Sequence, residues 1–199
     1  PGLVPDPDWK RGRKNAKWLG GETILTGIGQ GYMLTTPLQL AVMTARLASG
    51  REIIPRFVRP EPGAPVTEAP LLGINTGLLD AVRKGMAAVV NEDGGTGASA
   101  RLEDAKALVA GKTGTAQKAG RGGYMPGKYF SSFIGFFPAD NPELCISIVL
   151  DEPQHGYYGG QVAAPVFRQF AELAANHLNI RPDKTEEPTP SAQMAAHRP

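Results

Sequence analysis

Three short runs of apolar, β-branched and aromatic residues, all in the second half of the chain, constrain the fold more than any other feature. They occupy residues 107–117, 131–138 and 144–150. Runs of this length and composition are typical of β-strands. Only five residues, including proline, asparagine and two acidic side chains, separate the last two runs. That length suits a tight turn, so we expect these two strands to be antiparallel neighbours.

Helical patterns flank the strands. Thr36-Pro37 offers a hydroxyl N-cap and a first-turn proline for a helix that Gly50 ends. A second helix is predicted from Asn75 or Thr76, and a long amphipathic helix from about residue 161 to 178. Their expected core-facing residues are Leu78, Leu79, Val82, Met86, Val89 and Val90 in the second helix, and Val162, Val166, Phe167, Phe170, Leu173 and Ala174 in the last. The pattern predicts an α+β domain, an antiparallel sheet flanked by helices.

The remaining segments are rich in proline, glycine and charge. Residues 1–22 and 60–73 are predicted to be loops, and residues 53–58 a short edge strand because Pro55 cannot donate to a ladder. The glycine-rich, basic segment 118–130 is predicted to be a mobile flap. From residue 181 the chain is polar with repeated prolines, which predicts a domain over 1–180 and a disordered tail over 181–199. The loop-like opening resembles the interior of a longer protein.

Composition excludes several classes of function. The net charge is +2, and basic residues cluster only between Lys10 and Lys17, where a solvated loop is expected; Glu22 is likewise expected to be a solvated loop charge. Cys145 is the single cysteine and sits in an apolar run, so we expect an inert thiol. The three histidines are far apart in sequence, and no metal site or membrane span is predicted.

The segment Gly111-Lys112-Thr113-Gly114-Thr115-Ala116 carries the chemistry. A phosphate loop would need a glycine where Lys106 stands, and residues 27–31 fail as a dinucleotide fingerprint because Tyr32 replaces the third glycine. What remains is a cation, two hydroxyls and a bare backbone edge. Such a set suits a carboxylate and a peptide laid along the strand.

Lys112-Thr113-Gly114 on a strand resembles the Lys-Thr-Gly box of serine penicillin-binding proteins and β-lactamases. Further segments agree in the family's order, namely Thr26-Gly27-Ile28-Gly29-Gln30-Gly31-Tyr32, Thr35-Thr36-Pro37-Leu38-Gln39, Gly95-Thr96-Gly97, Tyr158-Gly159-Gly160 and Ala163-Ala164-Pro165-Val166-Phe167. The resemblance is to a class B penicillin-binding protein. Residues 1–117 resemble the elongation-type transpeptidase, whereas residues 129–180 resemble the division-type enzyme. Two explanations remain open, a divergent relative and a composite chain.

The resemblance implies a fold, an activity and a location. The fold is the penicillin-binding and serine β-lactamase-like fold, and the activity is that of a peptidoglycan D,D-transpeptidase, a target of β-lactams, without cofactor or metal. The implied location is the periplasmic face of the bacterial inner membrane. The implied partners are stem peptides, β-lactam antibiotics, the N-terminal remainder of the same protein, a glycosyltransferase and other cell-wall synthesis proteins, with no nucleic acid.

The resemblance also assigns roles to residues. Lys112 would hold positive potential near the substrate carboxylate and assist proton movement, and the hydroxyls of Thr113 and Thr115 would bind that carboxylate. Gly114 would let the substrate approach the strand closely, and the backbone N–H of Thr115 would donate to the oxyanion. From its place in the chain, Tyr158 is expected to contact substrate at the border of the acceptor groove.

The chain lacks the family's other two boxes. No serine begins a Ser-x-x-Lys or a Ser-x-Asn motif. In the family both boxes lie upstream, so the nucleophile is expected outside this chain, and the chain alone is expected to be inactive. A β-lactam hydrolase or sensor of the same superfamily, and a non-catalytic scaffold fragment, remain alternatives.

Overall fold

The computed structural model describes residues 2–58, 61, 63, 67–102, 107–120 and 122–180. Six α-helices, three strands and a short 3-10 helix at Ala98–Ala100 are described. In chain order the α-helices and strands are α1 (Pro7–Lys14), α2 (Gly20–Gly27), α3 (Pro37–Ser49), α4 (Thr76–Asn91), β1 (Ala110–Gly120), β2 (Gly123–Phe137), β3 (Leu144–Asp151), α5 (Gly159–Val162) and α6 (Ala164–Leu178).

The three strands form one antiparallel sheet in the order β1-β2-β3. Thr113 lies opposite Phe133 and Thr115 lies opposite Ser131, while Ser132 lies opposite Val149. The prediction of an antiparallel sheet with helices is therefore confirmed. The predicted flap is wrong, since β1 continues to Gly120 and β2 begins at Gly123. Paired backbones satisfy each other whatever the side chains, so a long hairpin tolerates this glycine-rich sequence.

The main core lies between the sheet and α6. Phe133 and Phe137 both pack edge-on against Phe167, with ring centroids 4.8 and 6.4 Å apart, and all three side chains are buried. Edge-to-face aromatic packing of this kind adds to the free energy gained by burying the rings. Phe136 points to the other face, where it packs with Met86 of α4 in a smaller cluster.

Some helix residues predicted to face the core are exposed. Phe170 and Leu173 on α6 are 57% and 70% exposed, and Leu78 and Val82 on α4 are exposed as well. The inward face of each helix is narrower than the apolar stripe in its sequence. Phe167 and Ala171 mark that face on α6, whereas Leu79, Met86 and Val90 mark it on α4.

The prediction of a loop over residues 1–22 is wrong, because α1 and α2 begin there. Asp6 caps α1 by accepting a hydrogen bond from the Trp9 N–H at 2.7 Å. Lys10 is only 5% exposed and forms an ion pair of 2.6 Å with Glu22. The hydrogen bond from Lys10 holds the pKa of Glu22 below its usual value, so both charges are structural rather than solvated. Helices of eight residues are too short to show a clear periodicity.

The edge strand predicted over residues 53–58 is also absent. Arg51 alone pairs there, in an isolated antiparallel bridge with Leu71. The predicted tail over 181–199 lies outside the described residues, as do several positions of the loop at 60–73. Within the described ranges, no helix combines the length and the apolarity that a membrane crossing requires.

We predict that Phe167→Ala lowers the free energy of unfolding by about 3–5 kcal/mol, because it removes the ring that Phe133 and Phe137 pack against. Urea denaturation followed by circular dichroism measures the change. Phe57→Ala is the matched control, since Phe57 is 83% exposed and its truncation is expected to change stability by less than about 0.5 kcal/mol. Equal effects of the two substitutions would contradict this account of the core.

Candidate active site

The middle of β1 presents the polar residues predicted to form the site. Successive side chains of a strand point to opposite faces, so Thr113 and Thr115 share one face and Lys112 lies on the other. Gly114, between the two threonines, leaves the strand without a side chain at that position. A Cβ at Gly114 would overlap the hydroxyl of Ser132 on the neighbouring strand.

Lys112 is exposed, and its ammonium group lies beside Thr113. Its Nζ donates to the backbone carbonyl of Thr113 at 2.8 Å and lies 3.4 Å from the Thr113 hydroxyl. The lysine also lines an open apolar groove of about 410 Å³, together with Met43 and Leu47 of α3 and Val82 of α4. An ammonium group has three donors, so the bonds within the strand do not exhaust its capacity.

Thr113 has a polar partner from outside the sheet. Its hydroxyl oxygen lies 3.0 Å from the hydroxyl oxygen of Thr96, in the turn that follows α4. Thr96 was not assigned a role from the sequence, although it lies in a segment that supported the family resemblance. The sequence signal is the Gly95-Thr96-Gly97 run itself, and Gly95 approaches the Val89 carbonyl too closely for a larger side chain.

Helix α5 contacts the strand at Thr115. The Gly159 N–H donates to the Thr115 hydroxyl oxygen at 3.1 Å, which leaves the hydroxyl hydrogen free for another acceptor. A Cβ at Gly159 would overlap the carbonyl oxygens of Gly114 and Ser132, and one at Gly160 would overlap the carbonyl oxygen of Thr96. These two glycines are therefore required by close backbone approach, a role that sequence reasoning missed.

Tyr158 ends a stack of three tyrosines beside Thr115. The rings of Tyr129 and Tyr157 stack with centroids 4.4 Å apart, and Tyr157 is 4.4 Å from Tyr158. The Tyr157 hydroxyl donates to that of Tyr158 at 3.1 Å, and this hydrogen bond raises the pKa of Tyr157. Ser131, the register partner of Thr115, donates to the carbonyl of Tyr157. These bonds of Ser131 and Gly159 bring the backbone at Tyr158 to the strands beside Lys112–Thr115.

A network of charges joins the far ends of the strands to the loop that carries the tyrosines. Lys118 on β1 donates to Asp151 at 2.7 Å and to Glu152 at 2.8 Å, and Glu152 also pairs with Lys128 on β2. The pKa of Lys118 is raised mainly by its hydrogen bond to Asp151 and to a smaller extent by the one to Glu152. The pKa of Glu152 is lowered mainly by the hydrogen bond from Lys118 and to a smaller extent by the one from Lys128. The Lys118 ammonium also lies 4.7 Å from the centroid of the Phe130 ring.

Other groups with potential chemistry are poor candidates. Burial raises the pKa of the Cys145 thiol to about 11, so this cysteine is protonated and unreactive at neutral pH, as expected from the sequence. Among the residues that the structure describes, histidine, cysteine and carboxylate side chains form no group of three that would hold a metal ion.

The chain matches the family of the penicillin binding protein transpeptidase domain over residues 4–172. The match includes β1, the turn at Thr96 and the start of α5. The chain belongs to this family. It is 37% identical to the peptidoglycan D,D-transpeptidase MrdA of Acinetobacter baumannii over 91% of the chain, but it covers only 29% of that protein.

Solved penicillin-binding protein structures share the fold. PBP2 of Pseudomonas aeruginosa, solved in complex with WCK 5153, has a TM-score of 0.66 and 34% identity, over 96% of this chain and 40% of that one. PBP2 of Helicobacter pylori, solved in complex with MreC, has a TM-score of 0.68 and 31% identity, over 86% of this chain and 31% of that one. The chain therefore spans between about three and four tenths of the length of these relatives.

We predict that Gly159→Ala lowers the free energy of unfolding by about 1–3 kcal/mol, because the added methyl group must push α5 away from β1. Hydrogen exchange at the amide of residue 159 should accelerate as its bond to Thr115 is lost. Gly12→Ala is the control, since nothing lies within 4 Å of its Cβ position in α1 and alanine favours a helix. An unchanged exchange rate at residue 159 would contradict the close contact.

We predict that the charge network loses its contribution to stability both at acidic pH, through Glu152, and at alkaline pH, through Lys118. The lowered pKa of Glu152 means that its contribution is present above the usual value of 4.5 and is lost as the pH falls through the folded-state pKa. The raised pKa of Lys118 means that its contribution is present below 10.5 and is lost as the pH rises through the folded-state pKa.

Melting temperatures of the wild-type chain and Glu152→Gln, recorded from pH 3 to pH 7, test the loss at acidic pH. The difference between them should shrink as the pH falls below 4.5. Glu143→Gln is the matched control, because Glu143 is exposed in the turn before β3 and its substitution leaves the charge network intact. A difference for Glu152→Gln that stays constant as the pH falls would show that the network contributes nothing.

Proposed function

We propose that this chain is part of a peptidoglycan D,D-transpeptidase and forms one wall of its active site. The observation that carries the proposal is the strand β1, which places Lys112, Thr113 and Thr115 around the bare backbone of Gly114 in a member of this family. Residues 1–180 would be the C-terminal part of the transpeptidase domain, since the family match covers residues 4–172.

The reaction is acyl transfer through a serine ester. The serine hydroxyl attacks the carbonyl of the penultimate D-alanine, its proton passes to a base, and the C–N bond to the last D-alanine breaks as that amine takes up a proton. An amine of a second stem peptide then attacks the ester, forms the new amide and releases the serine. No serine of this chain lies in a Ser-x-x-Lys motif, so the rest of the protein would supply the nucleophile.

Residues of β1 would bind the donor peptide during this reaction. The ammonium of Lys112 favours the anionic carboxylate end of the donor, and the hydroxyls of Thr113 and Thr115 donate to it. Thr115 is well placed for this, because its oxygen already accepts from Gly159 and its hydrogen remains available. The Thr115 N–H would be one oxyanion donor, a kind of contact that typically contributes about 3 kcal/mol to catalysis. Tyr158 would border the groove that receives the acceptor peptide.

The finer assignment concerns subclass, location and partners. We propose a class B enzyme at the periplasmic face of the bacterial inner membrane that works with a glycosyltransferase and other cell-wall synthesis proteins. The likeness to PBP2 of Helicobacter pylori, which was solved with MreC, supports a partner of that kind. The similarity to MrdA supports the elongation role suggested by residues 1–117, whereas residues 129–180 suggest the division role.

We predict that Lys112→Ala in the full-length protein slows acylation by benzylpenicillin about 100-fold or more, because the substrate carboxylate loses its cation. Intact mass spectrometry under denaturing conditions follows the covalent adduct over time. Lys84→Ala is the matched control, since Lys84 is an exposed lysine on α4 that does not line the groove beside Lys112, and its variant should react at the wild-type rate.

Acylation of Lys112→Ala at the wild-type rate would overturn the assigned role of this residue. The same time course separates a transpeptidase from a β-lactam hydrolase, because the penicillin ester persists for hours in the former and disappears within minutes in the latter. An intact protein that no β-lactam labels would instead favour a non-catalytic scaffold.

A further inference from the structure

A cavity of about 590 Å³ lies between the N-terminal helices and the tip of the β1–β2 hairpin. Leu25 and Thr26 of α2 form one side, and Gly120 and Tyr124 of the hairpin form the other. Tyr32, in the loop after α2, completes the lining, together with Lys14 and Glu22. None of these residues belongs to the proposed catalytic group, and the cavity has no assigned role.

The walls of the cavity are held in place by specific contacts. The Tyr124 hydroxyl oxygen accepts a hydrogen bond from the Gly31 N–H at 2.9 Å, which ties the hairpin tip to the loop after α2. Tyr32 packs against Trp9 with ring centroids 5.2 Å apart. Glu22 is fixed by the buried Lys10 and by the Leu19 N–H. The cavity is therefore preformed, as ligand pockets usually are.

Strand β1 connects the residues assigned to the donor peptide with this cavity. This step rests on the proposed function. The donor's carboxylate end is assigned to Lys112 and Thr113, and its reacting carbonyl to the Thr115 N–H. A peptide in that position runs antiparallel to β1, so its amino end extends towards Gly120. Thr115 and Gly120 are five residues apart, which is at most about 17 Å, because the strand has an irregularity between Gln117 and Ala119.

That distance matches the length of a stem peptide. Four residues of the donor, up to and including the acylated D-alanine, span about 14 Å when extended. The amino end of a stem peptide is linked to an N-acetylmuramic acid of the glycan strand. We propose that the cavity binds this sugar end of the donor, so that β1 binds the peptide and the cavity binds the glycan.

The chemistry of the lining suits a pyranose ring. Tyr32 and Tyr124 are amphipathic, each with a flat apolar face for the C–H groups of a sugar. The hydroxyl of Thr26 and the backbone around Gly120 offer donors and acceptors for sugar hydroxyls and for an acetamido group. A volume of about 590 Å³ lies within the range that accommodates a ligand of disaccharide size.

The test compares two donors with the full-length protein, a disaccharide-linked pentapeptide and the same pentapeptide without sugar. D-Alanine release gives kcat/KM for each. The wild-type protein should prefer the disaccharide-linked donor about tenfold or more. Thr26→Trp, which fills the cavity, should reduce this preference below about threefold, mainly through KM for the disaccharide-linked donor.

Gly27→Trp is the matched control, because it adds the same side chain one residue later in α2, where nothing lies within 4 Å of the Cβ position. It should keep the wild-type preference. A preference near one in the wild-type protein, or a Thr26→Trp variant that retains the full preference, would overturn the proposal.

Labelling by benzylpenicillin separates this proposal from the function on which it depends. If penicillin acylates the wild-type protein but the two donors have equal kcat/KM, the cavity assignment alone is overturned. A wild-type protein that penicillin does not acylate would overturn the proposed function and the donor path together.

Discussion

The contact between the start of α5 and the strands β1 and β2 positions the rest of the site. Gly159 lies against the carbonyl oxygens of Gly114 and Ser132, closer than any larger residue could, and its N–H holds the Thr115 hydroxyl. Gly160 brings the carbonyl of Thr96 into the same small space. The hydroxyls of Thr96, Thr113 and Thr115 and the stack that ends at Tyr158 are all placed by this approach of backbone to backbone. A site built in this way depends on the absence of side chains as much as on their presence.

Local patterns predicted the sheet well and its extent poorly. The three strands were found because their apolar runs are short, distinct and separated by turn residues. The hairpin tip was missed because glycines and lysines carry no strand signal, although its backbone pairs as far as Gly120 opposite Gly123. Pairing between strands is a property of two segments, and no single segment displays it.

The candidate site was found at the level of motifs, and its supporting contacts were not. Lys112 to Thr115 were recognisable because a cation, hydroxyls and a glycine follow one another in the sequence. The bond between Gly159 and Thr115 joins residues 44 positions apart, and the hydroxyl contact of Thr96 with Thr113 joins residues 17 apart. The buried ion pair of Lys10 and Glu22 was equally hidden, because a charged residue in a basic segment is usually solvated.

The tryptophans are distributed unevenly over the fold. The chain has two, and both precede α2: Trp9 packs on Tyr32, and the Trp18 indole N–H donates to the Thr23 hydroxyl at 2.9 Å. The sheet and α6 contain none. Intrinsic tryptophan emission therefore reports on the N-terminal helices, which line the cavity at the tip of the β1–β2 hairpin. Unfolding of the sheet is followed by its tyrosines and by backbone circular dichroism. The two signals are separate optical probes for the N-terminal helices and for the sheet.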